Sequence, residues 1–280
     1  MPYEEHPKTQ TPPDETVVWR YMDFVKFVDL LERSSLWFTR ADKLDDPREG
    51  DLTEMELSQL REAPSPEVAE HNLGVFRSLR RENFLNCWTE SGESMAMWNL
   101  YARAPGGVAI KSTIGRVKRA IENATEKIFI SRVEYIDWNS ATFPNNVIAM
   151  YVRKAFGFAH ESEVRMIIWD ANSSTPTPAE VGDVVQLHNS LLPFLPQLPG
   201  QQREVLRRIL GEEWDRASAR RAKPWIRLPV DLASLIDEVI VSPRSAVHQD
   251  VARRTLERHD LREKPVRRSE LSYPRDNASD

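Results

Sequence analysis

Ala159-His160-Glu161-Ser162-Glu163-Val164-Arg165-Met166-Ile167-Ile168-Trp169 carries two carboxylates and an arginine, spaced two residues apart, straight into an apolar run. An extended backbone from Glu161 onward points Glu161, Glu163 and Arg165 to one side and Val164, Met166 and Ile168 to the other. The apolar side predicts a strand of a buried sheet. The charged side needs ionic partners or a solvent-filled cleft, so a salt-bridged strand end and a catalytic edge are both open readings.

Working outward, strand and helix patterns alternate. Val17 to Tyr21 reads as a strand, and Asp23 caps a helix with Phe24, Phe27, Val28 and Leu31 on one face. Leu36 to Arg40, Asn83 to Glu90, Gly107 to Ser112 and Ile128 to Ile136 read as further strands. Helices are expected over Ser94 to Ala102, around Ile114, Val117 and Ile121, and across Val147, Met150, Tyr151 and Lys154. A polar region to about residue 82, broken by Pro64 and Pro66, reads as a surface excursion. Residues 171–180 and 193–199 are rich in Pro, Ser and Thr and flank a short strand near Val184 to Leu187; a helix over 201–221 and a strand-strand-helix unit follow. The expectation is an α+β fold: a single domain with a mixed or split β-sheet core flanked by helices. It spans 16–272, with a core over 16–170 and a loop-rich, helical extension over 171–272, between a disordered tail at 1–15 and a second tail at 273–280.

Composition narrows the function classes. At 280 residues with 40% hydrophobic content the chain can bury a substantial core, and a net charge of -5 gives no global attraction to nucleic acid or anionic membranes. No apolar run reaches the roughly 18–20 residues of a membrane span, and the N-terminus lacks a signal peptide pattern, so a cytoplasmic protein without a membrane partner is expected. The single cysteine, Cys87, reads as a small core residue. The basic stretch 251–268 reads as a solvated face, with a patch that guides nucleic acid as the alternative, and the Arg-rich helix 201–221 reads equally as a packing face or a partner-binding face. Phosphate-loop, dinucleotide-fold, nucleophile-elbow and zinc-helix signatures are absent, and no two of the six histidines sit at helical metal-ligand spacing. No metal site is expected on the leading reading.

Three segments resemble, in order, the arginine, serine-threonine-serine and E-x-E motifs of the ADP-ribosyltransferase superfamily. Arg20 lies in a first strand followed by a helix, Trp88-Thr89-Glu90-Ser91 ends a strand before a helix, and Glu161-Ser162-Glu163-Val164 opens a strand. The second motif departs from the family pattern, so either Thr89 or Ser91 could supply its hydroxyl. The chain also resembles, more closely and over nearly its whole length, a bacterial family described as a domain of unknown function. Trp19-Arg20-Tyr21, Leu44-Asp45-Asp46-Pro47-Arg48-Glu49-Gly50, Met97-Trp98-Asn99-Leu100-Tyr101 and Glu161-Ser162-Glu163-Val164-Arg165 carry that likeness.

The superfamily resemblance implies an ADP-ribosyltransferase-like fold and an enzyme with NAD as co-substrate. Its acceptor would be a macromolecule, protein or nucleic acid, and its role that of a toxin or phage-defence effector. On that reading Glu163 binds the ribose and stabilises positive charge, Glu161 activates the acceptor, and Arg20 and Thr89 complete the catalytic set. Tyr21, Ser91, Trp98 and Tyr101 join Arg20, Thr89 and Glu163 in holding NAD, and Arg165 balances charge. The aromatics have a plainer reading as core. Two alternatives stand beside this one. The first is a metal-dependent nuclease in which Asp46, Glu161 and Glu163 hold a divalent cation and Lys154 or Arg165 meets the phosphate. The second is a binding module with a decayed site. The transferase reading requires Arg20, Thr89 and Glu163 to meet in one cleft.

Overall fold

The computed structural model describes residues 2–62, 65, 66, 69, 73, 80, 82–102, 106–141, 147–169, 224–244 and 249–272. Strand β1 (Val17–Asp23) leads into helix α1 (Phe24–Arg33) and strand β2 (Ser35–Arg40). The Asp23 side chain accepts from the Lys26 amide to start α1, and Ser34 in a left-handed conformation ends it. Phe27, Leu30 and Leu31 form its buried face, each contributing about 1.5–3 kcal/mol. Helix α2 (Glu54–Arg61) follows, then β3 (Asn83–Thr89), α3 (Met95–Tyr101), β4 (Gly107–Thr113), α4 (Ile114–Ala120), β5 (Ile128–Arg132) and β6 (Glu134–Ile136). The short helix α5 (Val147–Met150), β7 (Arg153–Ala155), a 3-10 turn (Phe156–Glu161) and β8 (Glu163–Trp169) complete the first part of the chain. Beyond it lie β9 (Trp225–Pro229), α6 (Leu232–Leu235), β10 (Glu238–Val241), α7 (Gln249–Glu257) and β11 (Val266–Arg268).

Among the described residues nine strands form one sheet, mostly antiparallel and flanked by helices, as an α+β fold requires. Its order is β11-β10-β4-β1-β3-β2-β9, with β8 pairing both β3 and β5; β6 and β7 form a separate parallel pair. Strand β3 decides the geometry. One edge pairs with β8 along its whole length, from Asn83↔Trp169 to Thr89↔Glu163. The other edge is shared: β2 meets it at Phe84 and Leu85, and β1 meets it at Thr89. Over Asn86 to Trp88 neither strand pairs, so β1 and β2 diverge and the sheet splits between them.

The largest core joins Phe27, Leu31, Phe38, Phe84, Trp88, Ile110 and Val164, and a second gathers Trp19, Tyr21, Met97 and Trp98. Strands β9, β10 and β11, which follow residue 171, belong to the same sheet as those before it. The N-terminal residues read as a tail run along β5: Tyr3 bridges Ile128, and the Thr11 hydroxyl donates to the Ile130 carbonyl. The strand expected over 128–136 divides into β5 and β6. Tyr151 and Lys154 are not helical, because Arg153 to Ala155 pair with β6. Helix α2 is tied inward by a buried ion pair, with both terminal nitrogens of Arg153 at 2.6 Å from Glu56. The expected strand near 184–187, the helix at 201–221 and the tail at 273–280 lie outside the described residues. No helix among the described residues is long and apolar enough to cross a membrane.

Candidate active site

A cleft of about 620 Å³ opens at the split, and Arg20, Cys87, Thr89, Tyr101, Lys154 and Glu163 are among the residues that line it. One wall is ionic. Arg165 and Glu163 on the charged side of β8 are both buried, so these groups must find partners inside the protein. Arg165 is 0% exposed, and all five of its N–H groups are used. Nε donates to Glu163 at 2.7 Å, and one terminal nitrogen donates to Glu163 at 3.0 Å and Glu49 at 2.6 Å. The other donates to Glu49 at 2.7 Å and the Tyr151 carbonyl at 2.8 Å.

Glu49 arrives from the turn that ends in Gly50, at φ +64°, where a Cβ atom would overlap the Tyr151 ring. Lys154 adds a second cation, its Nζ 2.6 Å from Glu161, 3.3 Å from Glu163 and 3.5 Å from Glu49. Burial alone would raise the Glu163 carboxyl; the charges of Arg165 and Lys154 and the hydrogen bonds from Arg165 outweigh it and hold the group at about 2. At Lys154 burial and the Arg165 charge act to lower the pKa, and the carboxylates of Glu163, Glu49 and Glu161 outweigh them and raise it.

Glu161 reaches the cluster by a different route from the one its sequence spacing predicts. It ends the 3-10 turn, and Ser162, left-handed at φ 41° and ψ 52°, separates it from β8. Glu161 therefore shares no strand face with Glu163. Its carboxylate instead accepts from the Tyr101 hydroxyl and from Lys154, both at 2.6 Å. The end of β3 fastens this turn. The Thr89 hydroxyl donates to the Glu161 carbonyl at 2.5 Å and accepts from the Ser91 amide at 2.9 Å, while the Glu90 amide donates to the Ser162 carbonyl.

Arg20 is half-buried, donates to the Cys87 carbonyl at 2.8 Å across the split, and has no carboxylate partner among the described residues. Burial lowers its pKa, yet a guanidinium stays charged at neutral pH. Tyr21 lines the cleft with its hydroxyl donating to the Gly92 carbonyl. Its ring meets Trp98 edge-on at 4.7 Å.

The structure thus brings Arg20, Tyr21, Thr89, Tyr101, Glu161 and Glu163 to one cleft. Ser91 and Trp98 do not line it: Ser91 meets the site through its amide on Thr89, and Trp98 is buried against Tyr21. Of the two candidate hydroxyls, Thr89 lines the cleft. Cys87, expected in the core, also lines it, with its thiol on the Glu163 carboxylate. Burial and the Glu163 charge push that thiol up, so it is not primed as a nucleophile. Glu49 was missed as a member of the cluster; the signal available was an acid directly before a turn glycine.

The metal alternative fits poorly. Asp46 lines the cleft but accepts from the Arg48 amide in its own turn, and Lys154 and Arg165 hold the lone pairs that a divalent cation would need. Among the described residues no three His, Cys, Asp or Glu side chains are grouped to hold a metal ion.

No protein-family model, curated protein or solved structure matches the chain. Side-chain geometry and charge carry the functional reading.

Proposed function

We propose that the cleft takes NAD as co-substrate and cleaves its nicotinamide–ribose bond, passing ADP-ribose to an acceptor nucleophile in an ADP-ribosyltransferase-like fold. One observation carries the reading: Arg20, Thr89, Glu161 and Glu163, drawn from three distant segments, line a single cleft at the split of the sheet. Its volume suits a small-molecule ligand. Arg20, unopposed by a carboxylate among the described residues, suits a pyrophosphate.

Nicotinamide leaves from an already cationic ring, so no general acid is needed. Glu163 is ionised at neutral pH and places a fixed negative charge where positive charge develops on the ribose. Oε2 already accepts from both Arg165 and Lys154, whereas Oε1 accepts from Arg165 and not from Lys154, so a ribose hydroxyl is received at Oε1. Glu161, held by Tyr101 and Lys154, receives the proton of the attacking acceptor. Thr89 acts through the backbone by fixing the turn that carries Glu161. A macromolecular acceptor and a toxin or phage-defence role are carried over from the resemblance.

The test is nicotinamide release and label transfer from NAD into a cell lysate, expected for the native chain and reduced at least about 100-fold in Glu163→Gln. Absence of both activities in the native chain would sink the reading. The two-point grip of Arg165 on Glu163 favours a second reading, a binding module whose carboxylates are silenced; it predicts NAD binding without nicotinamide release.

A further inference from the structure

Lys154 is the cation of the carboxylate cluster that lines the cleft, whereas Arg165 lies behind it. Its ammonium has three donors and three carboxylates within reach: Glu161, Glu163 and Glu49 at 2.6, 3.3 and 3.5 Å. The Phe158 ring lies below it at 4.5 Å. Arg165, Tyr101 and Tyr135 are the other charged or titratable groups that feel it.

The two catalytic carboxylates differ in how they are held. Glu163 is fixed by strand pairing and by Arg165 from the buried side. Glu161 ends a 3-10 turn before the left-handed Ser162, and among the described residues Tyr101 and Lys154 hold its side chain. Two carboxylates brought together without a cation would compete for one proton.

We propose that Lys154 is a positioning residue: its ammonium clamps the Glu161 and Glu163 carboxylates side by side, so that one cation couples the ribose half of the transfer to the acceptor half. The catalytic part of this inference rests on the proposed NAD chemistry.

The experiment compares the native chain, Lys154→Met, Lys154→Arg and Glu163→Gln by nicotinamide release from NAD, with the carboxyl of Glu163 titrated by carbon NMR in the first three. Lys154→Met is expected to lower kcat about 100-fold with KM for NAD within about threefold. It should also raise the Glu163 midpoint by about one unit or more. Lys154→Arg restores the midpoint and about a tenth of the rate, because a broad guanidinium keeps the charge but spreads the carboxylates. A lysine with a merely structural role would alter melting temperature while leaving the Glu163 midpoint and the kcat-against-KM split in place, and that result overturns the proposal. If the native chain and Glu163→Gln are equally inert toward NAD, the proposed function falls and the Glu163 midpoint alone decides whether Lys154 clamps. Should Lys154→Met not fold, Lys154→Arg decides: a native rate overturns the proposal, and a reduced rate with unchanged KM supports it.

Discussion

Arg20 and Arg165 both come from strands that border β3, yet their surroundings are opposite. Arg165 is fully buried and spends all five donors, four of them on Glu49 and Glu163. Arg20 is half-buried, donates to one carbonyl, and faces the cleft without a counter-ion among the described residues. A buried cation with saturated donors belongs to the fold, because losing it strands the anions around it. A desolvated cation with spare donors belongs to a ligand, because the protein leaves its charge unanswered.

The contrast can be broken most directly by Arg165→Met. Glu49 and Glu163 would be left buried beside one remaining cation, at a cost of about 3–5 kcal/mol, read by denaturant unfolding. A loss below about 1 kcal/mol would mean that the pair is not structural.

Acid comes next. The folded Glu163 carboxyl is held at about 2, below the 4.5 of an ordinary glutamate. Its contribution is therefore complete above about pH 4.5 and disappears as pH falls toward 2, removing on the order of 3 kcal/mol. Unfolding free energy measured from pH 6 to pH 2 should fall across that window in the native chain and more shallowly in Glu163→Gln.

Arg20→Ala sharpens the comparison from the other side. NAD affinity by calorimetry should weaken about 10- to 100-fold while stability stays within about 1 kcal/mol. If stability falls as far as in Arg165→Met, the two arginines do not differ in kind.

The smallest expected effect separates the hydroxyls. Thr89→Val should cost about 1–2 kcal/mol by releasing the Glu161 turn, whereas Ser91→Ala should stay within about 0.5 kcal/mol by thermal unfolding.

Legibility in the sequence follows the range of the forces involved. Strand β8, the Asp23 cap and the apolar face of α1 were readable because alternation and capping act over a few residues. The helical spacing of Met150 and Lys154 predicts a helix there, but β6, nearly twenty residues earlier, captures Lys154 into a strand. Glu161 was put on the β8 face because nothing local marks Ser162 as left-handed; serine rarely adopts that conformation, and here the turn is fastened from Thr89 and Glu90. Trp98 and Tyr101 looked alike as possible ligand rings. They sit three residues apart on α3, one packed on Tyr21 and the other aimed at Glu161, a distinction made by neighbours outside the helix. Glu49 joins Arg165 across 116 residues, so no pattern of spacing could announce it.

Gly50 gives this long-range pairing an unexpected dependence on size. A methyl group there would collide with the Tyr151 ring, and relief of the collision requires the turn or the ring to move. Glu49 precedes that glycine, and the Tyr151 carbonyl caps Arg165, so either movement pulls one acceptor from the buried guanidinium. Gly50→Ala would alter no charged or polar side chain, yet it would change how charge is balanced beneath the cleft. Here the electrostatics of the wall are gated by the volume of one uncharged position.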